Sequence, residues 1–175
     1  MKKRIIFIGL IIISLFVCSW GTLTNSFFAN LSKFPESVKM YFIVEKYSKE
    51  YNIPKNIAYG IPHYETGYNG ILDTNYNPKR TSKHKAYGAN QLKLATAKSV
   101  ADGRPITKKD LINNTDLNVQ LSFKLLDKLH KKYGNWHKAL GAYNTGKPIC
   151  NKYAKKVYNY NYKKILADGS SFAQN

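Results

Sequence analysis

Apolar residues recur at helical spacing along most of the chain. Behind Pro35, residues Val38, Tyr41, Phe42, Val44 and Tyr47 recur at three and four, which predicts a helix to about Tyr51. Asn52-Ile53-Pro54 breaks it. A second helix is expected from Pro54, a residue suited to a first helical position, to about Thr66, ending at Gly67. Its apolar face is Ile57, Ile61 and Tyr64, and Pro62 lies inside it, where a proline removes a backbone bond and crowds the preceding turn. Residues 67–86 are rich in Gly, Asn, Thr, Ser and Lys and read as a long loop, of the kind that is usually functional in a compact domain. Further helices are expected over 89–101, from the capping-box pattern Thr107-Lys-Lys-Asp110, over 116–133 with Leu117, Leu121, Leu125, Leu126 and Leu129, from Trp136 to about Tyr143, and from Pro148 onward with Tyr153, Val157 and Tyr160. Seven helices, no clear strand pairing and no internal repeat give an all-α, compact single domain over 35–165.

The stretch before it is of another kind. Lys2-Lys3-Arg4 is followed by an apolar run from Ile5 to Val17, interrupted by Gly9 and Ser14, the pattern of an export signal. Ser19-Trp20-Gly21 offers small residues for cleavage after Gly21; uncleaved, Ile5 to Leu23 is just long enough to span a bilayer with its basic flank in the cytoplasm. Cys18 raises a lipoprotein site, against which stands the large Val17 before it. On each reading residues 1–23 are a signal peptide or membrane anchor, 24–34 a connector and 166–175 a polar tail, and the domain is exported to the periplasm or cell envelope. A disulfide between Cys18 and Cys150 is not expected, so the domain folds without such a staple.

Charge narrows the partner. Lys and Arg number 28 against 10 Asp and Glu, a net +18, and +15 remains without the three N-terminal cations. A field of that sign favours a polyanion: nucleic acid, an anionic membrane or an acidic wall polymer. Export and the absence of a nucleic-acid motif set nucleic acid aside. The four histidines show no metal spacing, His63-Tyr-Glu65 has no Cys-x-x-Cys after it, and no Gly-rich phosphate loop is present, so neither metal nor cofactor is expected. Fourteen tyrosines suit a face that stacks on flat or sugar-like ligands.

Three segments stand out together: Tyr64-Glu65-Thr66-Gly67-Tyr68-Asn69; Ala86-Tyr87-Gly88-Ala89-Asn90-Gln91-Leu92, leading into Ala95-Thr96-Ala97; and Ala139-Leu-Gly-Ala-Tyr143-Asn144-Thr-Gly146. Glu65 is the only acid between Glu50 and Asp73. With tyrosines beside it in sequence it suits a carboxyl kept protonated by partial burial, which is what protonating a glycosidic oxygen requires.

In order and spacing the three blocks, with Asn118-Val119 between the last two, resemble the lytic transglycosylases of the soluble, Slt-like type, a lysozyme-like family that cleaves peptidoglycan. The resemblance covers about residues 50–160. It implies a lysozyme-like fold, Glu65 as the single catalytic acid and then base, Gln91 in the substrate cleft, Tyr143 positioning or hydrogen-bonding the glutamate, and Asn144 and Ser82 helping to bind the glycan. It also implies a 1,6-anhydro-muramic acid product. Thr66 stands where the family has Ser, Lys85-Ala86 where it has Gly-Ala, and Ala89-Asn90 where it has Leu-Met. Two rivals remain: a goose-type-lysozyme-like hydrolase with Asp73 or another loop acid positioning water, and a non-catalytic wall-binding module of the same fold. The setting stays open among a secretion or conjugation apparatus, wall turnover and a phage.

Overall fold

The computed structural model describes residues 33–163 and 165; the basic flank, the apolar run, the connector up to residue 32 and the polar tail lie outside the described residues. From Pro35 onward the chain forms one unit. Its helices are α1 (Glu36–Glu50), α2 (Lys55–Thr66), α3 (Leu94–Lys98), α4 (Lys108–Asn113), α5 (Thr115–Tyr133), α6 (Trp136–Thr145) and α7 (Lys152–Tyr158), with a short antiparallel pair β1 (Ala86–Tyr87) and β2 (Leu92–Lys93) ahead of α3. The all-α expectation holds, and among the described residues no helix is long and apolar enough to cross a membrane.

The longest helix, α5, organises the rest because it is apolar on two sides. Val119, Phe123 and Leu126 join Met40, Val44 and Tyr47 of α1, Ile57, Tyr59 and Ile61 of α2, Leu140 of α6 and Val157 of α7 in the main core. Leu121 turns the other way, into a smaller cluster with Tyr87, Leu92, Ala97, Val100, Ile106 and Leu111. Each cluster removes apolar surface from water, and sharing α5 couples the hairpin region to the helical body.

Local sequence sets the helix ends. The expected capping box forms: Asp110 N–H donates to Thr107 Oγ1 at 3.2 Å and Thr107 N–H to Asp110 Oδ2 at 2.9 Å. Asn114, Asn135 and Asn151 cap α5, α6 and α7 by accepting from Leu117, Lys138 and Ala154 N–H at 2.9, 3.1 and 2.8 Å. α7 therefore starts at the Asn151 cap, later than the Pro148 expected from sequence. Gly67 ends α2 at φ 78°, with its N–H bonded back to His63 O at 3.0 Å.

The clearest departure lies at 86–93. A helix is expected over 89–101; the chain instead makes a tight hairpin, and only Leu94–Lys98 is α-helical. Two features decide it. Gly88 sits at φ +74°, where a Cβ would come within 2.1 Å of Leu111 O and 2.4 Å of Asn118 Nδ2, so no other residue fits. The wholly buried Asn118 side chain then holds the turn: Nδ2 donates to Tyr87 O at 2.8 Å and Leu111 O at 3.0 Å, and Oδ1 accepts from Asn90 N–H at 2.9 Å. One buried amide supplies the partners that a helical ladder would have given locally.

The long loop 67–85 is packed rather than loose. Tyr68 O–H donates to Ser37 O at 3.0 Å, Ser37 Oγ donates to Ile71 O at 3.0 Å, and Tyr68 and Tyr76 meet edge to face at 4.9 Å, both buried.

Candidate active site

Glu65 lies in the last turn of α2, half-buried, and the structure gathers the three sequence blocks around that turn. The neighbouring Thr66 hydroxyl, fully buried, donates to Ala89 O at 2.8 Å, lies 3.1 Å from Pro62 O and meets Tyr76 O–H at 3.1 Å. It thus ties the end of α2 to the hairpin and to the loop. Tyr143, in α6, donates to Asn90 O at 2.8 Å and ties the third block to the same hairpin.

The resemblance implies a hydrogen bond or positioning contact from Tyr143 to Glu65. In the structure the hydroxyl that reaches Glu65 is that of Tyr153, in α7, donating to Oε1 at 2.7 Å. Tyr143 stays close enough that a charged Glu65 opposes ionisation of its phenol, but burial is the larger influence. Tyr153 sits on the apolar stripe that reads as core packing in α7. Its sequence signal is a tyrosine just after a capping asparagine, Asn151, too common to single it out.

Two influences act on the protonation of Glu65. Burial raises its pKa above the ordinary glutamate value, because a buried carboxylate loses hydration, and the Tyr153 hydrogen bond lowers it in part by favouring the anion. Those two influences oppose one another at the same carboxyl. Among the described residues no second acid adds to them: Asp73, the loop acid of the hydrolase reading, bears on Tyr68 and Tyr76 instead.

The other expected site residues fall as follows. Gln91 lies in the hairpin turn, not on a helix, at φ 47°. A non-glycine residue there is strained, and its Nε2 donates to Gly88 O at 2.9 Å and Arg80 O at 3.3 Å, which holds it in place. Ser82 is half-buried, and its Oγ accepts from Ala86 N–H at 3.1 Å, stiffening the loop that leads into β1. Asn144 is exposed near the end of α6, and its Oδ1 accepts from Asn151 Nδ2 at 3.3 Å. Beneath them the buried Asn90 Nδ2 donates to Ser122 Oγ at 2.6 Å. No group of His, Cys, Asp and Glu among the described residues is placed to hold a metal ion.

Tyr153→Phe tests the contact with Glu65. Loss of the hydroxyl removes the influence that lowers the Glu65 pKa, so the pKa rises further. The limb of the pH–activity profile on which activity falls with rising pH is expected to move to higher pH, with a lower maximal rate. A purely structural Tyr153 would lower activity equally at every pH and leave the limb where it was.

Comparison with known proteins identifies the family of the chain. Residues 42–166 match the transglycosylase SLT domain. Protein IpgF of Shigella flexneri and its counterpart in Shigella sonnei are each 30% identical over 130 residues, covering 71% of this chain and 81% of theirs. The crystal structure of an inactive mutant of lytic transglycosylase Slt from Pseudomonas aeruginosa superposes with a TM-score of 0.55 at 19% identity. That match covers 76% of this chain but only 24% of the Slt chain, so the shared part is a fraction of a much longer protein. With the family match spanning well over half of its length, the chain belongs to the transglycosylase SLT domain family.

Proposed function

We propose that the protein is a peptidoglycan lytic transglycosylase that cuts the β-1,4 bond between N-acetylmuramic acid and N-acetylglucosamine, with Glu65 as the only catalytic carboxyl. The observation that carries this reading is Glu65 itself: a half-buried acid whose pKa is raised by burial, with one tyrosine hydroxyl on its oxygen and, among the described residues, no acid neighbour acting on it. Protonated Glu65 gives its proton to the glycosidic oxygen as the C1–O bond breaks and positive charge develops on the sugar ring. The carboxylate left behind takes the proton of the muramic acid C6 hydroxyl as that oxygen bonds to C1. Glu65 ends protonated, no water is consumed, and the product carries a 1,6-anhydro end. Because the nucleophile belongs to the same sugar, its effective concentration is high and a second carboxylate is unnecessary.

Under this reading Ser82, Gln91, Tyr143 and Asn144 border the glycan path. The hairpin carries Gln91, and Tyr143 holds the hairpin against α6. The peptide stems of peptidoglycan carry carboxylates, which suits the cationic domain. The basic N-terminal flank and apolar run support export to the periplasm or cell envelope, with the membrane as a second partner if the segment is retained; a secretion or conjugation apparatus is a fitting setting for a small enzyme of this kind. The test is mass spectrometry of muropeptides released from purified sacculi. Anhydro ends are expected; reducing ends would make the enzyme a hydrolase, and no release would leave a binding module.

A further inference from the structure

We propose that the end of the domain built from the last turn of α5, from α6 and α7 and from the chain just beyond them docks on an anionic phospholipid bilayer. This is an interaction of the folded domain itself, and it goes beyond the glycan reading. Charge is spread unevenly along the chain. Between Asp127 and Asp168 stand ten lysines and no acid, so residues 128–167 carry +10 of the net +18. The described part of this segment folds together. His130, in the last turn of α5, stacks on Trp136 of α6 at 3.7 Å, and His137 of α6 meets Tyr158 of α7 at 4.2 Å. Asn151, at the start of α7, donates to Asn144 near the end of α6 at 3.3 Å. Lys138, Lys147, Lys152, Lys155 and Lys163 are all exposed. Among the described residues the only ion pair made by this segment joins Lys131 to Asp127 at 2.7 Å, and the other four all lie within residues 36–124. A surface of like charges with so few counter-charges favours a polyanion.

Two observations favour a bilayer over a soluble polyanion. The first is the apolar side chains set among the lysines. Ile149, 51% exposed, lies between Lys147 and Lys152, and the exposed Tyr158 follows Lys155 on α7. Exposed apolar groups beside ammonium groups suit the headgroup boundary, where the former enter the acyl edge and the latter pair with phosphates. An acidic polymer in water offers Ile149 nothing to enter. The second is the path of the chain. Ser37 Oγ donates to Ile71 O at 3.0 Å, and a Cβ on Gly70 would lie 3.3 Å from Ile165 Cγ2. The start of α1, the exposed Leu72 and the end of the lysine-rich segment thus meet at one edge. Residues 18–35 join the apolar run to α1, a tether of at most about 60 Å when extended. A run held in the bilayer therefore brings this edge within reach of the lipid surface. There each lysine close to an anionic leaflet strengthens binding about fivefold.

The experiment uses the full-length chain with Cys18→Ser, so that a fluorescent donor attaches at the exposed Cys150, between Lys147 and Lys152. The protein is reconstituted with vesicles of phosphatidylcholine, alone or mixed with phosphatidylglycerol, that carry an acceptor dye on their headgroups. Energy transfer is expected to rise severalfold with phosphatidylglycerol. It should return to the phosphatidylcholine level when salt is raised from about 0.1 to about 1 M, as the screening length falls from about 10 to about 3 Å. Lys147→Gln/Lys152→Gln/Lys155→Gln is expected to shift the balance from docked to undocked domain by at least about tenfold, with an unchanged melting curve. Lys98→Gln/Lys108→Gln/Lys109→Gln removes the same charge from exposed lysines elsewhere and is expected to change that balance by less than about twofold. Equal transfer in the two lipids overturns the proposal, as does equal loss in the two variants. A Cys150 dye that responds to soluble poly-glutamate and not to phosphatidylglycerol also overturns it, and makes this face a site for an acidic protein. Flotation with neutral vesicles reads insertion of the apolar run separately, and muropeptide analysis reads the chemistry. Failure of either leaves a phosphatidylglycerol response at Cys150 standing.

Discussion

Glu65→Gln is expected to lower release of anhydro-muropeptides by about 10²–10⁴-fold, the worth of general acid–base catalysis, and to do so without loss of fold. Gln keeps the shape of the side chain and the oxygen that accepts from Tyr153, at 2.7 Å in the native protein, but it has no proton to give the leaving oxygen and cannot take one from the C6 hydroxyl. The stability change has a definite sign. The folded-state pKa of Glu65 lies above its unfolded value, mainly through burial. Such a group contributes fully below the unfolded pKa, and its contribution is lost as pH rises through the folded pKa, because the folded protein then carries a poorly solvated charge. The variant is therefore expected to melt at a higher temperature than the native protein above that pKa and to match it in acid. Activity assays and thermal melts over a pH series check both parts. A rate loss of less than about tenfold with a normal melting curve would sink the assignment.

The place of Glu65 in the last turn of a helix was legible in sequence because its signal was local: an apolar helical stretch closed by Gly67, with tyrosines flanking the acid. Helix ends were legible for a similar reason. Thr107, Asn114 and Asn135 cap with their own side chains, so the stop and start signals lie within four residues of the bonds they make. The hairpin was not legible. Ala89, Asn90 and Leu92 read as the start of a helix because the interaction that overrides helix propensity comes from Asn118, 28 residues beyond Asn90. Tyr153 was missed on the same ground: its partner Glu65 is 88 residues away. In α7 it shares a stripe with Val157 that is indistinguishable by spacing from core packing. The order of blocks carried the site as a set of segments, whereas the choice between Tyr143 and Tyr153 as the hydroxyl on Glu65 depended on how α6 and α7 pack, which no spacing encodes.

The second large effect follows from that long-range amide. Asn118→Asp is nearly isosteric, yet it is expected to destabilise the domain by at least about 3 kcal/mol and to cost most of the activity of the protein that still folds. Aspartate keeps an oxygen for the Asn90 N–H but has no N–H to donate. Tyr87 O and Leu111 O, now 2.8 and 3.0 Å from Nδ2, would each face an oxygen instead. Two buried carbonyls left unpaired cost about 1–3 kcal/mol each, and ionising the new acid at a site with 0% exposure adds a desolvation cost that favours its protonated form. Protonation restores one donor, so the loss should shrink as pH falls through the raised pKa of the new carboxyl, the opposite of a surface acid held by a lysine. The functional consequence passes through the hairpin. Ala89 O receives the Thr66 hydroxyl beside Glu65, Asn90 O receives Tyr143, and Gln91 hangs from Gly88 O. A hairpin freed from Asn118 lets all three contacts drift at once, and Glu65 at the end of α2 loses the frame that holds its neighbour Thr66. Denaturant unfolding at two pH values reads the stability change, and the ratio of activity to folded fraction reads the positioning. If Asn118→Asp unfolds at the native denaturant midpoint, the hairpin is held by something other than this amide. If it is unstable but keeps full activity per folded molecule, the hairpin does not position the site.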